Sequence, residues 1–211
     1  MKIGVVGGTG KFGRELSINL AMVGHDVVIG SRKAEKAIET VADIEKHSNI
    51  ELSLKGESNK RAVELSDIVF LSIPYDNIFD TLNDVMEKLH QKILITNIVP
   101  IDKYWGRFHR KLISGSVAET IEYNIPVDNK VISALHTIPS NYLPHTIKLQ
   151  TFVYVNEEGW LEMIFELFNS INIEPLYCGN LRQSIFAEEL AIFLLNMNIL
   201  NGIGNKTIQV I

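Results

Sequence analysis

The stretch GGTGKFG, residues 7–13, is the part of this sequence best suited to hold a ligand. Gly8, Gly10 and Gly13 satisfy the spacing G-x-G-x-x-G, and Thr9 adds a hydroxyl inside the loop. Glycines at this spacing let the chain turn tightly and bring its backbone close to a pyrophosphate. The helix that follows offers unpaired N–H groups and the positive end of its dipole. Here an apolar run at 3–6 enters the loop and a helical pattern leaves it, which is the context the motif requires. A turn serving only to pack helix on sheet would explain Gly13 and leave Gly8 and Gly10 without a reason. The loop predicts a dinucleotide site.

The adenosine end of such a ligand is set farther along, in DVVIGSRK at 26–33. About 20 residues past the glycines, NAD-binding chains place an acidic residue on the ribose, and NADP-binding chains place an arginine on the 2′-phosphate. This chain has Ser31 and Arg32 there, then Lys33, with Lys36 one helical turn after Arg32. The guanidinium fork can hold a phosphate, the Ser31 and Thr9 hydroxyls can reach it, and Lys36 adds a point charge. Cations at the start of a helix oppose its dipole. A bound phosphate removes that conflict, whereas a merely solvated basic face does not. The expected ligand is NADP(H).

Three later segments end alike: LSIPYD (71–76), TNIVPID (96–102) and ALHTIPS (134–140). Ligands of open α/β sheets bind beyond the carboxyl ends of the strands. Ile73, Pro74 and Tyr75, Val99 and Pro100, and Thr137, Ile138 and Ser140 would then form an apolar rim for the nicotinamide and a flat partner stacked on it. One proline merely stops a strand; three at the switch point indicate a wall. His136 stands in the last segment. A lone histidine at a strand end is more often structural than catalytic, and hydride transfer needs two carbons held close and dry more than it needs acid–base help. His136 is therefore a candidate for positioning or polarising a ring carbonyl. The other histidines, at 25, 47, 90, 109 and 145, lack ligand spacing, and Cys178 is the only cysteine, so no metal site is expected. Neither a Ser-His-Asp set nor G-x-S-x-G is apparent.

The elements that must position these residues follow from periodicity. Apolar runs at 3–6, 26–30, 68–73, 93–96 and 131–135 read as strands, with a weak one at 51–55. Helical patterns fall at 11–23, 34–46, 61–65 and 78–89. Such alternation is that of an α/β, doubly wound parallel sheet in the order 3-2-1-4-5-6. Beyond 144 the pattern gives strands at 151–155 and 174–177 and helices at 160–168 and 184–200. This divides the chain softly into 1–140, the NADP-binding Rossmann domain, and 141–211, a small C-terminal domain.

Composition excludes several classes. Of 211 residues 46% are hydrophobic and 21% charged, as in ordinary globular proteins, and a net charge of −5 speaks against nucleic-acid or anionic-membrane partners. A single cysteine fits a reducing, cytoplasmic setting. The apolar stretch 185–200 carries Glu188, Glu189, Asn196 and Asn198, which suits a buried helix and not a membrane span.

With these residues in view, the chain resembles the coenzyme F420-dependent NADP reductases. The resemblance lies in VVGGTGKFGRELSINLAMVGHDVVIGSR, LSIPYDNIFDT, VISALHTIPS and the terminal LLNMNILNGIG, and so covers nearly the whole sequence. It implies reversible hydride transfer between NADPH and the deazaflavin ring of coenzyme F420 by a homodimer. By position it implies NADP contacts at Thr9, Gly10, Lys11, Phe12, Ser31, Arg32 and Lys36, and a nicotinamide wall of Ile73, Val99 and Ser140. His136 and Ile138 would cover or orient the stacked rings. Asn201, Gly202, Ile203, Gly204, Asn205 and Lys206 would close the deazaflavin pocket. Tyr75 stands where relatives carry Trp, and 103–114 departs from the pattern as a basic, aromatic loop that either clamps the acidic tail of F420 or is solvated surface.

Rival expectations are an NADPH-dependent flavin or ferric reductase on the same core, and a non-catalytic NADP(H) sensor. The sensor needs no second aromatic pocket. A reductase of a small imine or carbonyl would want a proton donor beside the nicotinamide, for which Tyr75 is the one candidate.

Overall fold

Alternation within each strand decides which helices it meets. In β1 (Lys2–Val6), Ile3 and Val5 join one buried cluster while Val6 joins another on the opposite face. The computed structural model describes residues 1–143, 148–204 and 206–210. Along them run α1 (Lys11–Met22), β2 (Asp26–Ser31), α2 (Ala34–His47), β3 (Leu54–Ser58), α3 (Asn59–Glu64), β4 (Ile68–Leu71), α4 (Ile78–Val85) and β5 (Ile93–Thr96). A hairpin follows, β6 (Ile101–Tyr104) and β7 (Arg107–Arg110), then α5 (Val117–Tyr123) and β8 (Lys130–Ser133). The chain ends with β9 (Leu149–Val155), α6 (Leu161–Ser170), β10 (Ile173–Tyr177) and α7 (Ile185–Asn201).

Eight strands form one sheet in the order β10-β9-β8-β5-β4-β1-β2-β3. From β3 to β8 every pairing is parallel, and these six strands realise the expected 3-2-1-4-5-6 order. β9 then pairs antiparallel with β8, and β10 parallel with β9. The segment beyond 148 thus extends the same sheet. One face buries Leu16 and Leu20 of α1, Val41 and Ile44 of α2, and Leu167 and Phe168 of α6. The other buries Val63 of α3, Leu82 and Val85 of α4, Ile121 of α5 and Ala187 of α7.

Two sequence expectations shift. The weak third strand runs at 54–58 rather than 51–55: Leu52 is spent anchoring the core, and the ladder to β2 begins at Leu54. The supposed loop at 103–114 includes most of the β6–β7 hairpin. Its two-residue turn puts Trp105 at φ 49 and Gly106 at φ 75, the left-handed pair that such turns need, and Trp is an unexpected residue to find there. Asn196 of α7 grips this hairpin, accepting from the Phe108 N–H and donating to its carbonyl, both at 2.8 Å. Helix α5 was also unexpected, although its signature is legible: Ser116 and Glu119 form a reciprocal capping box.

Candidate active site

The turn after β1 is built from contact as much as from conformation. Gly7 holds φ 81, and a side chain there would collide with the Ser72 carbonyl. A Cβ on Gly13 would stand 2.7 Å from the Gly7 oxygen, so α1 can approach the loop only with glycine at that position. At Gly8 the limit is the Val5 oxygen, 2.8 Å away. Gly10 is exposed, has no comparable crowding and precedes α1 with no side-chain cap. The first N–H groups of α1, at Lys11, Phe12 and Gly13, therefore lack a side-chain acceptor, the condition for holding a pyrophosphate.

This turn opens onto a crevice of about 730 Å³. Thr9, Gly10, Ser31, Arg32, Lys36, Ile73 and Pro74 line it, together with Gly7, Lys33, Asn59, Ser72, Asn77 and Thr81. Gly8 and Gly13 lie beneath the floor, Lys11 is exposed at the start of α1, and Phe12 packs on the core; these four are not among the lining residues. Ser31 is buried and accepts the Lys33 N–H at 3.4 Å. Arg32, Lys33 and Lys36 are exposed, and none of them forms an ion pair among the described residues. Glu35 in the same turn offsets part of their conflict with the helix dipole without pairing with them.

Asn59 was not expected here. It follows Ser58, which stands in register with Ser31, and is 3% exposed with no partner for Oδ1 among the described residues. A buried, unpaired carboxamide oxygen is costly. A donor on a ligand lying in this crevice would satisfy it.

A second cavity of about 260 Å³ lies along the same carboxyl edge, beyond β5 and β8. Val99, His136, Thr137, Ile138, Ser140 and Lys206 line it, with Ile101, Pro139 and the α7 residues Ala191, Leu194, Leu195 and Asn198, so Val99 and Ser140 lie in a different cavity from Ile73 and Pro74. Pro100 is buried beside it, its carbonyl accepting the Lys111 N–H at 2.7 Å. Tyr75 belongs to neither set of lining residues; the Lys111 ammonium lies 5.8 Å from its ring centre and bonds Asp76 and Asp102. Asn201, Gly202, Ile203 and Gly204 end α7 as an exposed cap, with Gly202 at φ 60, and are not brought to the cavity. Asn205 lies outside the described residues. Beyond it, Thr207 donates to the Thr137 carbonyl at 2.8 Å, tying the tail to the rim.

His136 is presented by a strained turn. Leu135, 1% exposed, holds φ 68, and its N–H donates to Thr151 Oγ1 at 2.7 Å. A left-handed Leu costs energy that the packed surroundings must supply. His136 Nε2 lies 3.5 Å from Ser133 Oγ, while Nδ1 is out of reach of solvent and unpartnered. The side chain keeps some exposure, but desolvation of the ring pushes its pKa down to about 4. The imidazole is neutral at ordinary pH, so it can offer one hydrogen bond and accept another without placing a positive charge beside a ring.

Residues 2–100 match the family described as NADP oxidoreductase, coenzyme F420-dependent. The chain is 33% identical to the F420-dependent NADP reductase of Methanocaldococcus jannaschii, over 94% of this chain and 93% of that protein. The chain belongs to the F420-dependent NADP reductase family. The reductase of Methanothermobacter marburgensis is 31% identical over 100% of this chain and 98% of its own. In fold, the crystal structure of an Arthrobacter protein assigned to the same activity superposes with a TM-score of 0.86, covering 100% of this chain and 99% of that one at 21% identity.

Proposed function

We propose that this protein transfers a hydride, reversibly, between NADPH and coenzyme F420, with one proton exchanged with solvent. The observation that carries the reading is the pair of cavities on one carboxyl edge. The first has a glycine turn, uncapped helix N–H groups and three unpaired cations. The second is walled largely by apolar residues around a neutral imidazole. Its size suits one flat ring system rather than a whole coenzyme. When bound, NADPH supplies the hydride and F420 the accepting deazaflavin.

The residues divide the work. Thr9 and Gly10, with the N–H groups at Lys11, Phe12 and Gly13, hold the pyrophosphate; Ser31, Arg32 and Lys36 hold the 2′-phosphate. Ile73, Pro74, Val99 and Ser140 keep the nicotinamide against the deazaflavin and exclude water, and His136 and Ile138 fix the second ring. On this reading residues 1–140 serve the nucleotide, and 141–211 complete the ring cavity. Phe186, Phe193 and Leu200 are 67%, 60% and 58% exposed and recur every seven residues along α7, a stripe that suits a homodimer contact. The free Cys178 fits a reducing cytoplasm.

The test is to mix the protein with NADPH and oxidised F420 and follow the visible deazaflavin band, with NADH as donor control and FMN and ferric complexes as parallel acceptors. Bleaching with NADPH and F420 supports the reading. Binding of NADPH without bleaching would move the assignment to a flavin or ferric acceptor, or to a sensor.

A further inference from the structure

Within the ring cavity the wall given by α7 is apolar except at one residue. Ala191, Leu194, Leu195 and Asn198 recur at helical spacing and share the face that lines it. Packing alone would complete that stripe with another Leu or Ala. Asn198 instead is 8% exposed, and its Oδ1 has no hydrogen-bond partner among the described residues. His136, which lines the same cavity from beyond the end of β8, likewise has a buried atom, Nδ1, with no partner among the described residues. Two residues that each carry an orphaned polar atom line one small cavity, in a protein that satisfies most of its buried groups, and a ligand with a polar edge is what would pair with them there.

We propose that Asn198 reads the edge of the bound ring. Its carboxamide pairs, donor to acceptor and acceptor to donor, with a cyclic imide edge in which a carbonyl and an N–H stand side by side. The pyrimidinedione of a deazaflavin or flavin presents that edge, and the identity of the ring rests on the hydride-transfer reading above. Apolar walls can grip a flat ring but leave it free to rotate in its plane. A carboxamide at one side removes that freedom and fixes which ring atom meets the nicotinamide. The neutral His136 serves a neighbouring heteroatom. Asn198 is thus a positioning residue for the reaction.

The experiment titrates the fluorescent deazaflavin core of F420, without its phosphate tail, and the same core methylated on the imide nitrogen. Both are titrated against the wild-type protein and Asn198→Leu in the absence of nucleotide, alongside thermal melting. Wild-type protein should bind the unmethylated core about tenfold or more tightly, because methylation removes the donor the carboxamide accepts from. Asn198→Leu should lose that preference, yet melt no lower than wild type, since it replaces an unpaired amide by a side chain matching the stripe. Equal binding of the two cores by wild type overturns the proposal without any variant. Retention of the preference by Asn198→Leu overturns it too. If the deazaflavin fails to bind but FMN shows the same dependence on its imide N–H and on Asn198, the edge reading stands and the F420 assignment falls. If neither ring binds, both fall.

Discussion

Arg110 Nη2 lies 3.0 Å from Glu188 Oε2, and the Glu188 side chain is fully buried. Its other oxygen accepts the Val117 N–H at 2.7 Å, and the same guanidinium donates to the Gly115 carbonyl at 2.7 Å. β7, the approach to α5, the first turn of α5 and α7 thus meet at one ion pair. Arg110 pairs with Ile101 across the hairpin, and Ala191 lies one turn beyond Glu188, so two of the stretches that line the ring cavity adjoin this node.

Burial pushes the Glu188 carboxyl up to about 7, against the opposing pull of the Val117 N–H and Arg110. A carboxyl that binds its proton more tightly folded than unfolded makes folding less favourable as pH rises between its two values. Stability should therefore fall from about pH 4.5 to about pH 7 by up to about 3 kcal/mol on this account, and level off above. The check is the urea midpoint of wild type against Glu188→Gln across that range. The difference between them should move against wild type as pH rises; a constant difference would rule the shift out.

Arg32→Ala should raise the KM for NADPH about 10- to 100-fold while changing that for NADH far less, because only NADPH carries the group the guanidinium forks. Steady-state kinetics with both donors decides it. Equal losses for the two would mean that Arg32 serves the adenine or the fold instead of the phosphate.

How much of this was legible beforehand depends on the range of the forces involved. The glycine turn and Ser31–Arg32 sit where local sequence sets local shape, so motif and spacing place them directly in the crevice. The rim residues at 136–140 follow from strand order, since a right-handed parallel sheet leaves little choice of edge. Asn59 and Asn198 are different. Each is an ordinary polar residue in sequence and gains meaning only because tertiary packing buries it without a partner. The hairpin hid behind Trp105, whose left-handed backbone sequence preference would assign to glycine or asparagine. Gly202 caps α7, and neither it nor Gly204 is among the residues lining the two cavities.

Asn59→Ala should weaken binding of 2′,5′-ADP roughly 5- to 20-fold, the span of one hydrogen bond in a buried site, with little loss of stability. Calorimetric titration of that nucleotide, alongside melting, separates the outcomes. A large loss of stability with unchanged affinity would place Asn59 in the packing of α3.

His136 contributes a pH dependence of the opposite sense to Glu188. Its pKa drops to about 4 when folded, so between about pH 6.5 and 4 the unfolded chain takes up a proton that the folded one refuses. Stability attributable to His136 is complete above about pH 6.5 and is lost as pH falls toward 4, by up to about 3 kcal/mol. His136→Gln should lack that component of acid destabilisation. Between about pH 6 and 8 the maximal rate should show no step assignable to this imidazole; a step abolished by His136→Gln would show that it does change charge during turnover.

Thr151→Val tests the strained turn before His136. Thr151 Oγ1 accepts the buried Leu135 N–H at 2.7 Å, at a residue whose φ of 68 is unfavourable for Leu. Valine keeps the volume and the strand preference of threonine but offers no acceptor. The orphaned N–H should cost about 1–3 kcal/mol in stability. With its restraint gone, Leu135 should relax toward ordinary backbone, carrying His136 and Ile138 away from the ring cavity. The maximal rate should then fall by more than the KM for NADPH rises, because the nucleotide crevice is walled by other strands and keeps its shape. Loss of stability with an unaltered rate would mean that the turn holds its shape by packing alone, and that His136 does not depend on the strain.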